Sequence, residues 1–164
     1  MTDYTLGLVP VTEQNRASFE GLYLNHYGID ADVHKIVRSP EQVCQMMQDF
    51  WSAGWLSHYS CAMTRSGTIA AAMGILQPKD EPGLYVFSHL VTHAGHRQKG
   101  LAKRVLYTGT ELLKGLGADV IRNHKRMNVI PSRYFDEMGF HETHIPMDDR
   151  IHPEYKLRYQ WTRV

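Results

Sequence analysis

The chain has 164 residues, 43% hydrophobic and 21% charged, with a formal net charge of +1. That length fits one domain over residues 1–164, able to bury about 70% of its unfolded surface without a metal or disulfide staple, and the composition excludes a disordered tail or a collagen-like repeat. A charge so near zero excludes a whole-molecule field that would draw the protein onto nucleic acid or an anionic membrane.

In chain order, Tyr4–Val11 is apolar enough for a strand. Thr12–Tyr23 reads as a helix with Thr12 as its N-cap and Glu13 or Asn15 nearby. The stretch from Gly28 to Arg38 is irregular. Ser39, Pro40 and Glu41 form a helix start, Val43, Met46, Met47 and Phe50 recur at helical spacing, and Gly54 stops the helix. Leu56–Thr64 and Thr68–Leu76 flank Arg65-Ser66-Gly67, a hairpin signal. Pro82-Gly83 opens a third strand, Leu84–His93, and Ala94–Gly100 is a turn rich in glycine and cations.

From Leu101, the positions Val105, Leu106, Leu112, Leu113 and Leu116 mark one helix face, ended by Gly115 and Gly117. Ala118–Arg122 is a short buried strand, Asn128–Met138 a helix closed by Gly139, and Phe140–Ile145 and Tyr155–Thr162 the last two strands. The order predicts an α/β (α+β) fold: a mixed, mostly antiparallel twisted sheet of six or seven strands flanked by helices.

Asp3 and the lack of a basic stretch in Met1–Val11 argue against a signal peptide, and no apolar run approaches the roughly 20 residues that span a bilayer. Cys44 and Cys61 are too few for a disulfide framework. A cytoplasmic location without membrane contact is expected.

The most informative segment runs from His89 to Leu106. A strand ends, a glycine-containing turn follows, and a helix begins. Amides at a helix start converge on one point, and the helix dipole favours an anion there. Gly100 lets backbone approach a phosphate, and Arg97, Lys99, Lys103 and Arg104 add positive charge. No Gly-Lys-Ser/Thr ends the turn, so it is not a P-loop. The antiparallel-type strands before it exclude a dinucleotide-binding βαβ unit.

Arg97-Gln98-Lys99-Gly100-Leu101-Ala102 resembles the Arg/Gln-x-x-Gly-x-Gly/Ala signature of the GCN5-related N-acetyltransferases, the GNAT superfamily. A second block, Asn128 followed by Tyr134-Phe135-Asp136-Glu137-Met138-Gly139-Phe140, resembles that family's Asn…Leu-Tyr-Glu-Lys-Leu-Gly-Phe helix and strand. The order of elements matches over nearly the whole chain. The part up to about Trp55, which usually shapes the acceptor site, carries no motif of its own.

The resemblance implies a GNAT-like fold and transfer of an acetyl or other acyl group from coenzyme A to an amine. Acetyl-CoA is the implied cosubstrate, and no metal is implied. Backbone amides from Gln98 to Ala102 would hold the pyrophosphate, and backbone of Leu90 and Thr92 would pair with the pantetheine arm. The implied coenzyme-binding set is Leu90, Val91, Thr92, Arg97, Gln98, Lys99, Gly100, Leu101, Ala102, Lys103, Asn128 and Phe135.

Two positions depart from the family. Its usual base would match Val86 or Ser88, and neither is a base, although Ser88 could hold a water. His89 and His93 should point to the other face by strand alternation. The family's tyrosine acid matches Phe135, with Tyr134 about 100° around the helix. Tyr134 and Ser88 are therefore the candidate catalytic residues. A missing acid need not end activity, because protonating a thiolate contributes only about 2 kcal/mol near neutral pH.

His141 and His144 face opposite ways on a strand and lack a third ligand, so no metal site is expected. Trp51, Trp55 and Tyr59 read as packed core before acceptor wall. The resemblance implies a small-molecule, peptide or protein amine as the acceptor. A nucleic-acid-linked amine is disfavoured by the net charge, though His124-Lys125-Arg126 with Arg122 and Arg133 keeps it open. A homodimer is compatible with this reading. The competing function is a binding module that holds acyl-CoA with little or no catalysis and acts through protein contacts.

Overall fold

The first apolar run forms strand β1 (Tyr4–Pro10), and Thr12 then starts helix α1 (Glu13–His26) through a reciprocal capping box with Asn15. Ser39 and Gln42 make the same box before α2 (Pro40–Ser52), with Pro40 in the first turn, where its missing N–H costs nothing. The remaining elements are β2 (Leu56–Thr64), β3 (Ile69–Leu76), β4 (Leu84–Thr92), a 3-10 turn (Ala94–His96), α3 (Leu101–Gly115), β5 (Val120–His124), α4 (Ser132–Glu137), β6 (His141–His144) and β7 (Leu157–Thr162). The computed structural model describes residues 3–27, 38–124, 131–144 and 157–164. The last helix begins at Ser132, after a non-helical Pro131, and not at the expected Asn128, which with the expected start of the last strand at Tyr155 lies outside the described residues.

All seven strands form one sheet in the order β1-β2-β3-β4-β5-β7-β6. Every neighbouring pair is antiparallel except β4 and β5, which run parallel. The mixed, mostly antiparallel sheet expected from the sequence is thus observed. Its two faces carry separate cores. On one, α3 and α4 cover Met73, Ile75, Tyr85, Phe87 and Ile121. On the other, α1 and α2 cover Leu56, Cys61, Ala72, Leu84, Val86 and Val91.

Two irregularities in β4 position the site. First, β4 and β5 pair only from Leu84↔Val120 to Phe87↔Asn123, while β4 continues to Thr92. The sheet therefore splays beyond Phe87. Second, Gly74 pairs with Ser88 but the adjacent Met73 pairs with Leu90. His89 is the extra residue of a β-bulge, held at φ 46°. One inserted residue reverses the in–out alternation: Leu84 and Val86 before it face the α1 side, and so does Val91 after it.

Helix α3 lies close against the sheet at Gly109. A Cβ there would fall 2.8 Å from Ser60 Oγ and 2.9 Å from Ser60 Cβ, and Ser60 Oγ donates to the Val105 carbonyl at 2.7 Å. Gly109→Val should therefore lower stability by about 1–3 kcal/mol through overpacking. Urea denaturation with an unchanged midpoint would show that α3 can shift away at no cost.

Candidate functional site

The turn between β4 and α3 closes on Gly100 at φ 70°, and nothing lies within 4 Å of where its Cβ would sit. Gly100 is also the N-cap of α3 and offers no side-chain cap. The first amides of the helix, from Leu101, Ala102 and Lys103, then depend on a ligand or water. Gln98, Lys99 and Gly100 are exposed, and Gln98 also takes positive φ. This is a cradle for an anion, suited to a pyrophosphate. Arg97 is turned elsewhere: its Nη2 donates to the His26 carbonyl at 2.9 Å.

A strand edge leads into the cradle. The His93 amide donates to the Ala70 carbonyl of β3 at 2.8 Å. Alternation then aims the peptide groups of Leu90 and Thr92 away from β3, on the side where the described pairing with β5 ends at Asn123. The Leu90 side chain joins the α3 face, and that of Val91 is buried on the α1 face. The expected coenzyme positions Leu90 to Thr92 thus lie on the end of β4, and Gln98 to Lys103 lie at the start of α3.

Helix α1 clamps the bulge. The Tyr23 hydroxyl, fully buried, donates to the His89 carbonyl, and burial raises the Tyr23 pKa well above its ordinary value, so it stays a donor. His89 Nδ1 lies 2.8 Å from Ser88 Oγ, and its ring meets Tyr27 edge-on at 5.9 Å. Ser88 is buried, and its hydroxyl also points at Met47 Sδ, 3.9 Å away. These contacts correct the expectation that His89 and His93 face away from Ser88. The bulge reverses the alternation on which that expectation rested, and both rings lie on the α1 side. Nothing in the sequence marks the inserted residue.

Phe135 is buried, stacked on Tyr159 at 4.4 Å and 4° and edge-on to Phe140 at 5.7 Å. The nearby hydroxyl belongs to Tyr159, which donates to Ser132 Oγ at 2.7 Å. Tyr134 lies on the other side of α4. Arg133 Nη2 donates to its hydroxyl at 3.3 Å, and Lys103 Nζ sits 4.1 Å from its ring centre. The Arg133 hydrogen bond, with the Arg133 and Lys103 charges, holds this phenol below its ordinary pKa. The structure thereby places Tyr134 beside the first turn of α3.

Asn128, Lys125 and Arg126 lie outside the described residues. Arg122 Nε donates to Gln160 Oε1 at 2.9 Å. Trp55 stacks on Phe50, and both pack with Trp51 against the α1–α2 core. Among the described residues no group of three or more His, Cys, Asp or Glu could hold a metal ion, and no helix is long and apolar enough to cross a membrane. A groove of about 430 Å³ separates α1 from the β2–β3 hairpin, with Val9, Phe19, Leu22, Met63 and Ile69 beside Asn25, His26 and His93.

The sequence profile of the Acetyltransferase (GNAT) family matches residues 31–140, a span that includes the splayed strand, the cradle and α4. The chain belongs to the GNAT acetyltransferase family. Solved GNAT-type structures share its fold at low identity. An acetyltransferase from Thermus thermophilus is 16% identical with a TM-score of 0.64, over 99% of this chain and 100% of that one. A GNAT family acetyltransferase from Brucella melitensis, solved with acetyl-CoA, is 13% identical with a TM-score of 0.62, over 84% and 83%. The ribosomal-protein-S18-alanine N-acetyltransferase of Escherichia coli is 10% identical with a TM-score of 0.60, over 95% and 91%. No curated protein sequence matches the chain significantly.

Within this GNAT acetyltransferase, the clamp on the bulge has a measurable weight. Tyr23→Phe leaves the ring in place but removes the donor to the His89 carbonyl, so stability should fall by about 1–3 kcal/mol. Equal urea midpoints for the variant and the wild type would mean that the bulge does not depend on Tyr23.

Proposed function

We propose that this GNAT acetyltransferase moves the acetyl group of acetyl-CoA directly onto a primary amine, with His89 as the base and Ser88 as the residue that orients it. The observation that carries the reading is the Ser88–His89 pair, 2.8 Å apart, on the strand whose continuation leads into the anion cradle. The expected coenzyme residues Leu90 to Thr92 continue that strand, and Gln98 to Lys103 follow after the turn from His93 to Arg97. The Brucella melitensis relative, solved with acetyl-CoA, supports the coenzyme, and the Escherichia coli relative supports an amine acceptor.

Acetyl-CoA supplies an activated thioester. A pyrophosphate fits the uncapped amides after Gly100, and an extended amide chain fits the Leu90 and Thr92 edge. In this role Ser88 Oγ accepts from His89 Nδ1–H and turns its own hydrogen to Met47 Sδ, 3.9 Å away. The ring then carries its lone pair on Nε2. Taking a proton from a lysine-like ammonium near pH 7.4 costs about 4 kcal/mol, which a base must offset. His89 accepts that proton as the nitrogen–carbonyl bond forms and the carbon–sulfur bond breaks. The thiolate leaves with little need of an acid.

Direct transfer is also favoured by the cysteines. Burial pushes the thiols of Cys44 and Cys61 up to about 11, so neither offers a thiolate for a covalent acyl intermediate at neutral pH.

An amine panel, read through thiol release from acetyl-CoA, tests the activity. Turnover should rise with pH through the neutral range, and His89→Ala should lower kcat by about 100-fold or more with acetyl-CoA affinity unchanged. Tyr134→Phe should cost less than about tenfold, because its hydroxyl faces Arg133 and Lys103. Coenzyme binding without amine-dependent release would instead identify an acyl-CoA-binding module. A thousandfold loss in Tyr134→Phe would make Tyr134 the acid.

Titration calorimetry checks the cradle separately. Gly100→Glu puts a carboxylate at the pyrophosphate and an L-residue at φ 70°, a strain of about 1–2 kcal/mol that the fold should survive. Acetyl-CoA binding should be lost. Gly100→Asn, which tolerates that conformation without charge, should keep most of it.

A further inference from the structure

Three histidines outside the proposed chemistry meet where the end of α1 touches the turn between β4 and α3. The rings of His26 and His93 lie 3.9 Å apart at 31°, and His93 meets His96 at 5.1 Å and 74°. His26 Nδ1 accepts the Ala94 backbone N–H at 3.1 Å. His93 Nδ1 accepts the Gly95 backbone N–H at 2.9 Å. The His26 carbonyl accepts from Arg97 Nη2 at 2.9 Å. With the His96 amide donating to the His93 carbonyl at 2.9 Å, all four residues from Ala94 to Arg97 are tied to these two histidines, and the cradle residues Gln98 to Gly100 follow directly.

A ring nitrogen that accepts a backbone N–H must be unprotonated, so each of the two rings carries its hydrogen on Nε2. A proton added at either Nδ1 would set a donor against a donor. Charging both rings would also place like charges in contact. We propose that His26 and His93 are positioning residues for the coenzyme: their Nδ1 lone pairs hold the Ala94 and Gly95 peptides and so aim the amides of the following turn at the pyrophosphate. The inference rests on the acetyl-CoA reading above.

The surroundings favour uncharged rings at His26 and His96. Tyr4 of β1 places its hydroxyl 2.7 Å from His96 Nδ1. The turn contributes His96, Arg97 and Lys99. The hairpin residues Met63, Gly67, Thr68 and Ile69, which line the same groove, carry no charge. Asp3 and Arg65 pair with each other, and Arg16 of α1 pairs with Glu13 and Glu20. Burial, then His93 and Arg97, hold His26 below its ordinary pKa, and burial, then His93 and Lys99, do the same for His96. With their pKa values lowered in the folded state, the stability that His26 and His96 contribute is present above about pH 6.5 and is lost as pH falls below it.

The test is calorimetry of acetyl-CoA binding to the full chain at about pH 7.5 and about pH 5.5, on either side of the ordinary histidine pKa. The coenzyme's own phosphates titrate in this range but act alike on every variant, so differences between variants are the readout. His93→Asn replaces Nδ1 with an amide oxygen that accepts the same i+2 N–H without titrating. Wild-type affinity should fall about tenfold more on acidification than that of His93→Asn, as expected for one lost hydrogen bond. His93→Ala should bind about tenfold more weakly at the higher pH. Imidazole ¹⁵N shifts near pH 7.5 should show unprotonated Nδ1 in His26 and His93 of the free protein.

Equal pH dependence in wild type and His93→Asn, with His93→Ala binding normally, would overturn the positioning role. So would Nδ1–H tautomers in the spectra. Failure of the wild type to bind acetyl-CoA at either pH would instead overturn the coenzyme reading, and the positioning role with it.

Discussion

The parting of β4 from β5 is the constraint on which the rest depends. Parallel strands pair through slanted, evenly spaced bonds, and here that ladder stops at Phe87 and Asn123 although β4 runs on to Thr92. A peptide group left unpaired away from water costs about 1–3 kcal/mol. Among the described residues no strand pairs this edge of β4 beyond Phe87, and water or an extended polar ligand can serve it. The gap leads directly to the uncapped start of α3, a second set of backbone donors. Two deficits of backbone hydrogen bonding, one on a strand and one on a helix, carry the coenzyme site proposed above.

The bulge gives that path its chemistry. Without it, Ser88 and His89 would stand on opposite faces, and the two cores would carry different residues. With it, an imidazole and a hydroxyl lie 2.8 Å apart on the α1 face. The strained φ at His89 persists because Tyr23 anchors its carbonyl and the ladder resumes at Leu90. Helix α1 and its C-cap thus shape both ends of the proposed site: Tyr23 and the capping Tyr27 at the bulge, His26 at the turn.

Electrostatics is local. The chain is almost neutral as a whole, yet Lys103 and Arg133 gather around Tyr134 beside the first turn of α3. The helix dipole acts in the same place and in the same direction. A small ligand with several phosphates can therefore be held without the long-range field that would also gather polynucleotides.

Much was legible in the sequence, for identifiable reasons. Capping residues Thr12 and Ser39, the apolar stripe of α3 and the turn glycines act over a few residues, so they set the elements, and the order of elements set the sheet. Gly100 was legible as a backbone position because glycine alone takes φ 70° without strain. The side on which His89 and His93 stand was decided only by tertiary structure. It depends on one residue slipped between β3 and β4, a pairing event between distant segments that leaves no local signal. The same holds for the contact of His26 with Ala94, 68 positions away, and for the stacking of Phe135 on Tyr159. Local chemistry is written in neighbouring residues; the direction of a side chain across a sheet is set by the register of its partners.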